Sequence, residues 1–232
     1  CALGLLVALG ISLIVVFRTP ANSPDASPTS SRGPALGTHG GIRLSFRPVL
    51  CYAPPYVPAA TQRSTSGLLP TCGARYELTA TNLNATPDSG DVAGYLSSTV
   101  PPDPRFASYP SATSQRDNVR GTVLLPGGPG TGSDRFVVGP AGLTQTAVQS
   151  ADVERQYGQW VVNLNLTSRG STKWDNLAER QFHAIIGIDL NGRIISAPIV
   201  QPTQSSFASF GGTIQIAGGF TGQQAKALAA KL

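Results

Sequence analysis

The sequence predicts an α+β fold, a mainly antiparallel sheet with two helices on one face, preceded by an irregular β- and loop-rich region. Three observations carry that prediction. Gln159 to Leu166 (QWVVNLNL) places Trp160, Val162, Leu164 and Leu166 on one side and polar residues on the other, the period of a half-buried strand. Two apolar runs, Ala184 to Leu190 and Arg193 to Val200, flank Asn191-Gly192, the residue pair that a type I′ hairpin turn requires. Thr221 with Gln224 three residues later, after Phe220, spells the capped start of a closing helix.

The elements follow in chain order. Residues 1–17 (CALGLLVALGISLIVVF) carry no charge and are followed at once by Arg18, which predicts a transmembrane helix. Such a helix spans ~25 Å, slightly short of a hydrocarbon core of ~30 Å. The chain contains no Met, so residues upstream of Cys1 are expected to complete the span. The competing reading is a lipid-modified Cys1, but an acylated Cys is usually followed by polar residues, and here the apolar run follows it. Both readings hold the chain on the lipid bilayer. Gly4, Ala8 and Gly10 are small enough to let the helix pack closely against a neighbouring one. Residues 18–40, rich in Pro, Ser, Ala and Gly, are a linker that buries too little surface to offset its ordering entropy.

Within residues 41–125, Ile42, Leu44 and Phe46 alternate with Arg43, Ser45 and Arg47, which predicts a half-buried strand with a wet side, stopped by Pro48. Tyr76 to Thr81 and Gly121 to Leu125 are expected to be short strands. Cys51 and Cys72 flank a proline-rich loop of about twenty residues. Outside the cytoplasm such a pair is expected to form a disulfide, closing a loop worth ~3 kcal/mol. Two cysteines without a nearby His cannot supply four metal ligands, and two reduced buried thiols are the reading if the domain faces the cytosol.

In residues 126–232 the strand from Gln159 leads to a helix, with Ser171 and Thr172 as candidate N-caps and an end near His183. Trp174, Leu177, Ala178, Gln181 and Phe182 lie at three- and four-residue spacings along it. The hairpin follows, then a loop (Gln201 to Gly212), a short strand (Thr213 to Ile216) and the Thr221-capped helix.

Composition excludes several functions. The net charge is +5, but the fourteen Arg and three Lys are scattered singly, so no stripe for nucleic acid is present. With His39 and His183 the only histidines, a Ser-His-Asp triad or His-based zinc site has almost no material. His183 reads as a packed side chain or a partner of the helix dipole. Gly127 to Gly132 (GGPGTG) lacks the Lys-Ser/Thr ending of a phosphate loop and reads as a turn. Asp189 reads as turn chemistry. No enzyme activity and no cofactor is expected.

The same residues carry a resemblance. QWVVNLNL, the hairpin from Ile188 to Val200 (IDLNGRIISAPIV), the stretch from Ile214 to Thr221 (IQIAGGFT) and the closing QQAKALA helix resemble the head of the first periplasmic domain of SecD. Arg135 to Leu143 (RFVVGPAGL) is similar to the entry to that head. Phe46-Arg47-Pro48-Val49 is similar to the F-R-P-V strand of the base region in actinobacterial SecD. The resemblance implies a base-like region over 41–125 and a head-like domain over 126–232. Together with the one apolar segment at residues 1–17, it implies a single-pass protein of the inner (plasma) membrane with its soluble part on the extracytoplasmic side. SecD continues into further membrane helices that hold a proton pathway with SecF. This sequence does not contain them, so contact with extended polypeptide is implied but proton-driven pulling is not.

Two functions remain open. One is a polypeptide-binding module assisting export or extracytoplasmic folding, with Phe207 and Phe210 on the polar loop touching a translocating polypeptide; the same two rings can instead tuck into the core. The other is an accessory subunit docked on an integral membrane protein complex for transport, envelope synthesis or respiration.

Overall fold

The structure, a computed structural model, describes residues 42–58, 69–83, 100–112, 117–128, 131, 134–156, 158–202 and 204–232. The expected membrane helix with Gly4, Ala8 and Gly10, and the linker, lie outside the described residues. Among the described residues no helix is long and apolar enough to cross a membrane.

Apolar alternation builds the strands, and the long-range pairing sorts them into two antiparallel sheets. Strand β1 (Leu44–Ala53) is the organising element of the first. It pairs on one side with β7 (Ile186–Leu190), from Leu44 opposite Leu190 to Pro48 opposite Ile186. On the other side it meets β4 (Leu143–Thr144) and then β3 (Arg135–Val138). With β2 (Val123–Pro126) on β3 and β8 (Ile194–Ser196) on β7, the order is β2-β3-β1-β7-β8. The second sheet is β5 (Val148–Gln156), β6 (Gln159–Leu166) and β9 (Thr213–Phe220), in the order β5-β6-β9.

Pro48 does not stop β1. Its missing N–H falls where the neighbour changes from β4 to β3, and its carbonyl accepts from Gly139 N at 2.9 Å, so no ladder bond is lost there. The expected wet side of the strand is dry as well, with Ser45 3% and Arg47 0% exposed. The expected strand from Tyr76 to Thr81 is absent. Ala74–Tyr76 is a 3-10 turn instead. Tyr76 and Leu78 are buried as the alternation predicts, but the Asn82 side-chain amide caps the Ala74 and Glu77 carbonyls at 2.7 and 2.8 Å, holding a turn rather than a ladder.

Helix α1 (Ser168–Arg180) begins before the expected caps, because Thr167 accepts from Gly170 N at 3.0 Å and so fills that role. Thr172 lies inside the helix and donates back to Ser168 O. Gly170 is required there, since a Cβ would meet Ala147 O at 2.6 Å. The hairpin forms as expected: Asn191 and Gly192 have φ of 54° and 78°. Helix α2 (Gly222–Ala229) carries the full reciprocal capping box of Thr221 and Gln224.

Among the described residues the architecture is α+β with antiparallel sheets and two α-helices. One core joins them: Leu44, Phe46, Ile186 and Ile188 of the first sheet meet Val162, Leu164, Ile214 and Ile216 of the second, with Trp174 and Leu177 of α1 and Leu228 of α2. The hairpin and β9 therefore lie in different sheets. Strands from both sides of position 125 share the first.

Candidate functional site

The loop from Gln201 to Gly212 leaves the hairpin and returns to β9. Its two ends turn through left-handed backbone, with φ of 45° at Gln201 and 65° and 84° at Gly211 and Gly212. The loop is tied down between them. The buried Gln201 amide donates to Ala208 O at 2.5 Å and accepts from Ala208 N at 3.0 Å, mimicking a strand pair. Asp175, projecting from α1, accepts from Ser209 Oγ at 2.6 Å and from Phe210 N at 3.0 Å. His183, with φ of 62°, donates from Nε2 to Gln204 O at 2.7 Å and stacks on Phe182.

These ties bring both candidate phenylalanines against the core. Phe210 meets Trp174 edge-on with centroids 5.5 Å apart, and Trp174 in turn meets Phe46 at 5.3 Å. Phe207 bridges Phe210 at 6.2 Å and Phe182 at 6.3 Å. Both loop rings are half-buried. The result is an aromatic row running from the core to a partly open surface. Two buried polar atoms near it, Trp174 Nε1 and Gln204 Oε1, have no hydrogen-bond partner among the described residues. A donor and an acceptor left free beside aromatic rings match what a peptide group offers in return.

A second cluster lies in the first sheet. The Arg47 guanidinium is wholly buried and donates to Asp117 Oδ1 at 2.7 Å, to Gly139 O at 2.8 Å, to Gly121 O at 2.7 Å and to Asn118 O at 3.0 Å. Asp189 Oδ2 lies 3.7 Å from it and accepts from Ser45 Oγ, while Oδ1 accepts from Gly192 N. Asp189 therefore does the turn chemistry read from the sequence and more besides. Burial, followed by the nearby charge of Asp117, pushes its carboxyl up to about 6, against the opposing pull of the Ser45 bond and Arg47.

Cys51 and Cys72 are bonded, with Cα atoms 6.1 Å apart. Gly127 and Gly128, the described start of the glycine-rich turn, lie along β8, where Gly128 N donates to Ile194 O. The sequence marked the two loop phenylalanines but missed Asp175, Gln201 and the Arg47–Asp117–Asp189 cluster. Only the alternation of Ser45 and Arg47 beside a proline bore on that cluster, and it pointed to solvent.

Comparison with known proteins places these features. Residues 129–232 match the family model described as SecDF, P1 head subdomain. The protein translocase subunit SecD of Endomicrobium trichonymphae is 33% identical over 101 residues, which is 43% of this chain and 20% of that protein. The matched stretch is thus about a fifth of the length of that curated relative. A structure of SecDF, described as a membrane component that enhances protein export, aligns over 82% of this chain and 61% of its own, with 17% identity and a TM-score of 0.41. SecDF from Thermus, described as a translocon-associated membrane protein, aligns over 83% of this chain and 19% of its own, with 18% identity and a TM-score of 0.35. Residues 129–232, which hold the hairpin, both helices and the aromatic loop, are a SecD-head-like domain.

Proposed function

We propose that this chain is a non-enzymatic, membrane-tethered polypeptide-binding protein of the extracytoplasmic side that assists protein export. The observation that carries the reading is the aromatic row at Trp174, Phe210, Phe207 and Phe182, which ends on a partly open loop beside an unpaired donor and acceptor. Aromatic rings with neighbouring amide-like partners hold an extended chain without demanding a sequence, because every chain offers apolar side chains and peptide groups. The SecD-head-like domain supports the same reading, since its relatives are named for translocation and export. Attachment through residues 1–17 would hold the loop at the bilayer surface.

The half-buried, tied-down state of Phe207 and Phe210 favours a second reading, an accessory subunit whose head braces another membrane complex. One experiment separates them. A photocrosslinking residue at position 207, activated in cells with an export substrate arrested in transit, captures that substrate if the first reading is right. Constant capture of a folded membrane subunit, unchanged when export is blocked, supports the second and removes the first. Asp175→Ala, which frees Ser209 and Phe210, is expected to increase substrate capture.

A further inference from the structure

The cluster around Arg47 is short of positive charge. Two carboxyls, Asp117 and Asp189, face a single guanidinium at 2.7 and 3.7 Å, and the side chains of Arg47, Asp117 and Asp189 are 0%, 1% and 2% exposed. The donors of Arg47 are already committed to Asp117 and to the carbonyls of Gly139, Asn118 and Gly121. It cannot neutralise both acids as well. A buried surplus negative charge is costly, and one proton held between the two acids removes it.

The elements meeting there are β1, the 117–121 loop and the hairpin. The charged groups they turn toward Asp189 are Arg47 and Asp117; Ser45 and the Gly192 amide add hydrogen bonds. Asp117 and Ser45 also line a half-open cleft of about 210 Å³, together with Arg43, Val119 and Thr144. The proton therefore has a route to solvent, and Asp117 has space into which to move.

We propose that Asp117 and Asp189 share one proton as a pH-operated latch, whose loss frees the 117–121 loop from the β1–β7 pair and widens the cleft. While the proton is held, it links the two carboxyls, and together with the Arg47 bonds it keeps the loop closed. When it leaves to water through the cleft, like charges face each other in a buried site, and Asp117, the acid that lines the cleft, is the one that withdraws. Because the folded state holds this proton more tightly than the unfolded chain, the stabilisation is fully present below about pH 4 and is lost as pH rises through about 6.

The test uses the full chain in detergent and follows hydrogen exchange of the 118–121 amides at pH values from 5 to 7.5, with wild type and Asp189→Asn compared at each pH. One-proton linkage requires the opening equilibrium of the wild-type loop to grow by up to about tenfold per pH unit below the midpoint near 6 and to level off above it. Asp189→Asn supplies a permanent amide donor to Asp117 and is expected to keep the loop protected throughout. Equal protection in the two proteins at every pH overturns the latch. Should Asp189→Asn fail to fold, carbon NMR titration of the wild-type aspartate carboxyls decides. A midpoint near 6 that falls in Asp117→Asn supports the shared proton; a midpoint unchanged in that variant, or a full set of wild-type midpoints below about 5, overturns it.

Discussion

The described residues before position 121 and those after position 143 are held together by different physics. The later region is assembled from local signals: a Thr cap, a type I′ turn, a capping box and strands of clean alternation. The earlier region has one long strand and 3-10 turns at Ala74–Tyr76 and Pro104–Phe106, and its order comes from contacts far apart in sequence. The Cys51–Cys72 bond, the Arg47 cluster and the buried Asp103 each tie distant segments together. A chain poor in regular structure buys its order with crosslinks and buried charge, which concentrates stability in a few residues. The later region spreads it over many.

The largest expected effect follows from that concentration. Arg47→Met keeps the length of the side chain but leaves Asp117 and Asp189 buried without a cation and takes a donor from each of three carbonyls. Breaking one side of a buried ion pair costs ~3–5 kcal/mol. Urea denaturation of the variant should show a midpoint lowered accordingly; a loss below ~1 kcal/mol would show that the cluster contributes little. Next comes the disulfide, whose loop closure is worth ~3 kcal/mol. Cys51→Ala with Cys72→Ala is expected to expose the earlier segments to protease while β6, α1 and β9 stay protected. Simultaneous loss of both regions would break the comparison.

Asp103 gives a smaller effect with a distinct pH signature. It is fully buried and accepts from Gly73 N at 2.9 Å and from the Arg105 backbone and guanidinium, so it joins the disulfide loop to the Pro104–Phe106 turn. Burial pushes its carboxyl up, but the Arg105 side-chain and backbone bonds outweigh that and hold it below the ordinary range. A depressed folded pKa contributes stability above the unfolded value, near 4, that is lost as pH falls through the folded one. Half of the Arg105 side chain is in water, which screens the pair, so Asp103→Asn is expected to cost ~1–2 kcal/mol at neutral pH. Stability measured against pH should fall less steeply below about pH 4 in the variant than in the wild type.

How much of this was legible follows the same division. The β6 boundaries, the Asn191-Gly192 turn and the α2 cap are written in residues within a few positions of one another, and the structure keeps all three. What the sequence could not express was partnership at a distance. Ser45 and Arg47 look like the solvent side of a strand because their partners, Asp189 and Asp117, stand 144 and 70 residues away. The same blindness predicts one sheet for these strands, when β7 pairs with β1 in one sheet and β9 with β6 in another. In the candidate site, Phe207 and Phe210 stood out as aromatics among polar residues. Asp175 did not, because an acidic residue on a helix looks like ordinary surface until a loop 34 residues later folds back onto it.

The smallest effect tests the later region on its own terms. Thr221 accepts from Gln224 N at 3.3 Å, and Gln224 Oε1 accepts from Thr221 N at 2.8 Å, so each fills an otherwise unpaired donor at the start of α2. Thr221→Ala removes the first of these bonds at an exposed position and is expected to cost ~1 kcal/mol. If stability here is spread over many local signals, the loss should appear as faster hydrogen exchange within α2, with β6 and the Arg47 cluster unchanged. Ala225 and Leu228 anchor the helix in the shared core and are untouched by the substitution. A loss of several kcal/mol, or faster exchange in β1, would instead mean that α2 is as critical to the whole molecule as Arg47 is, and the contrast between the two regions would fail.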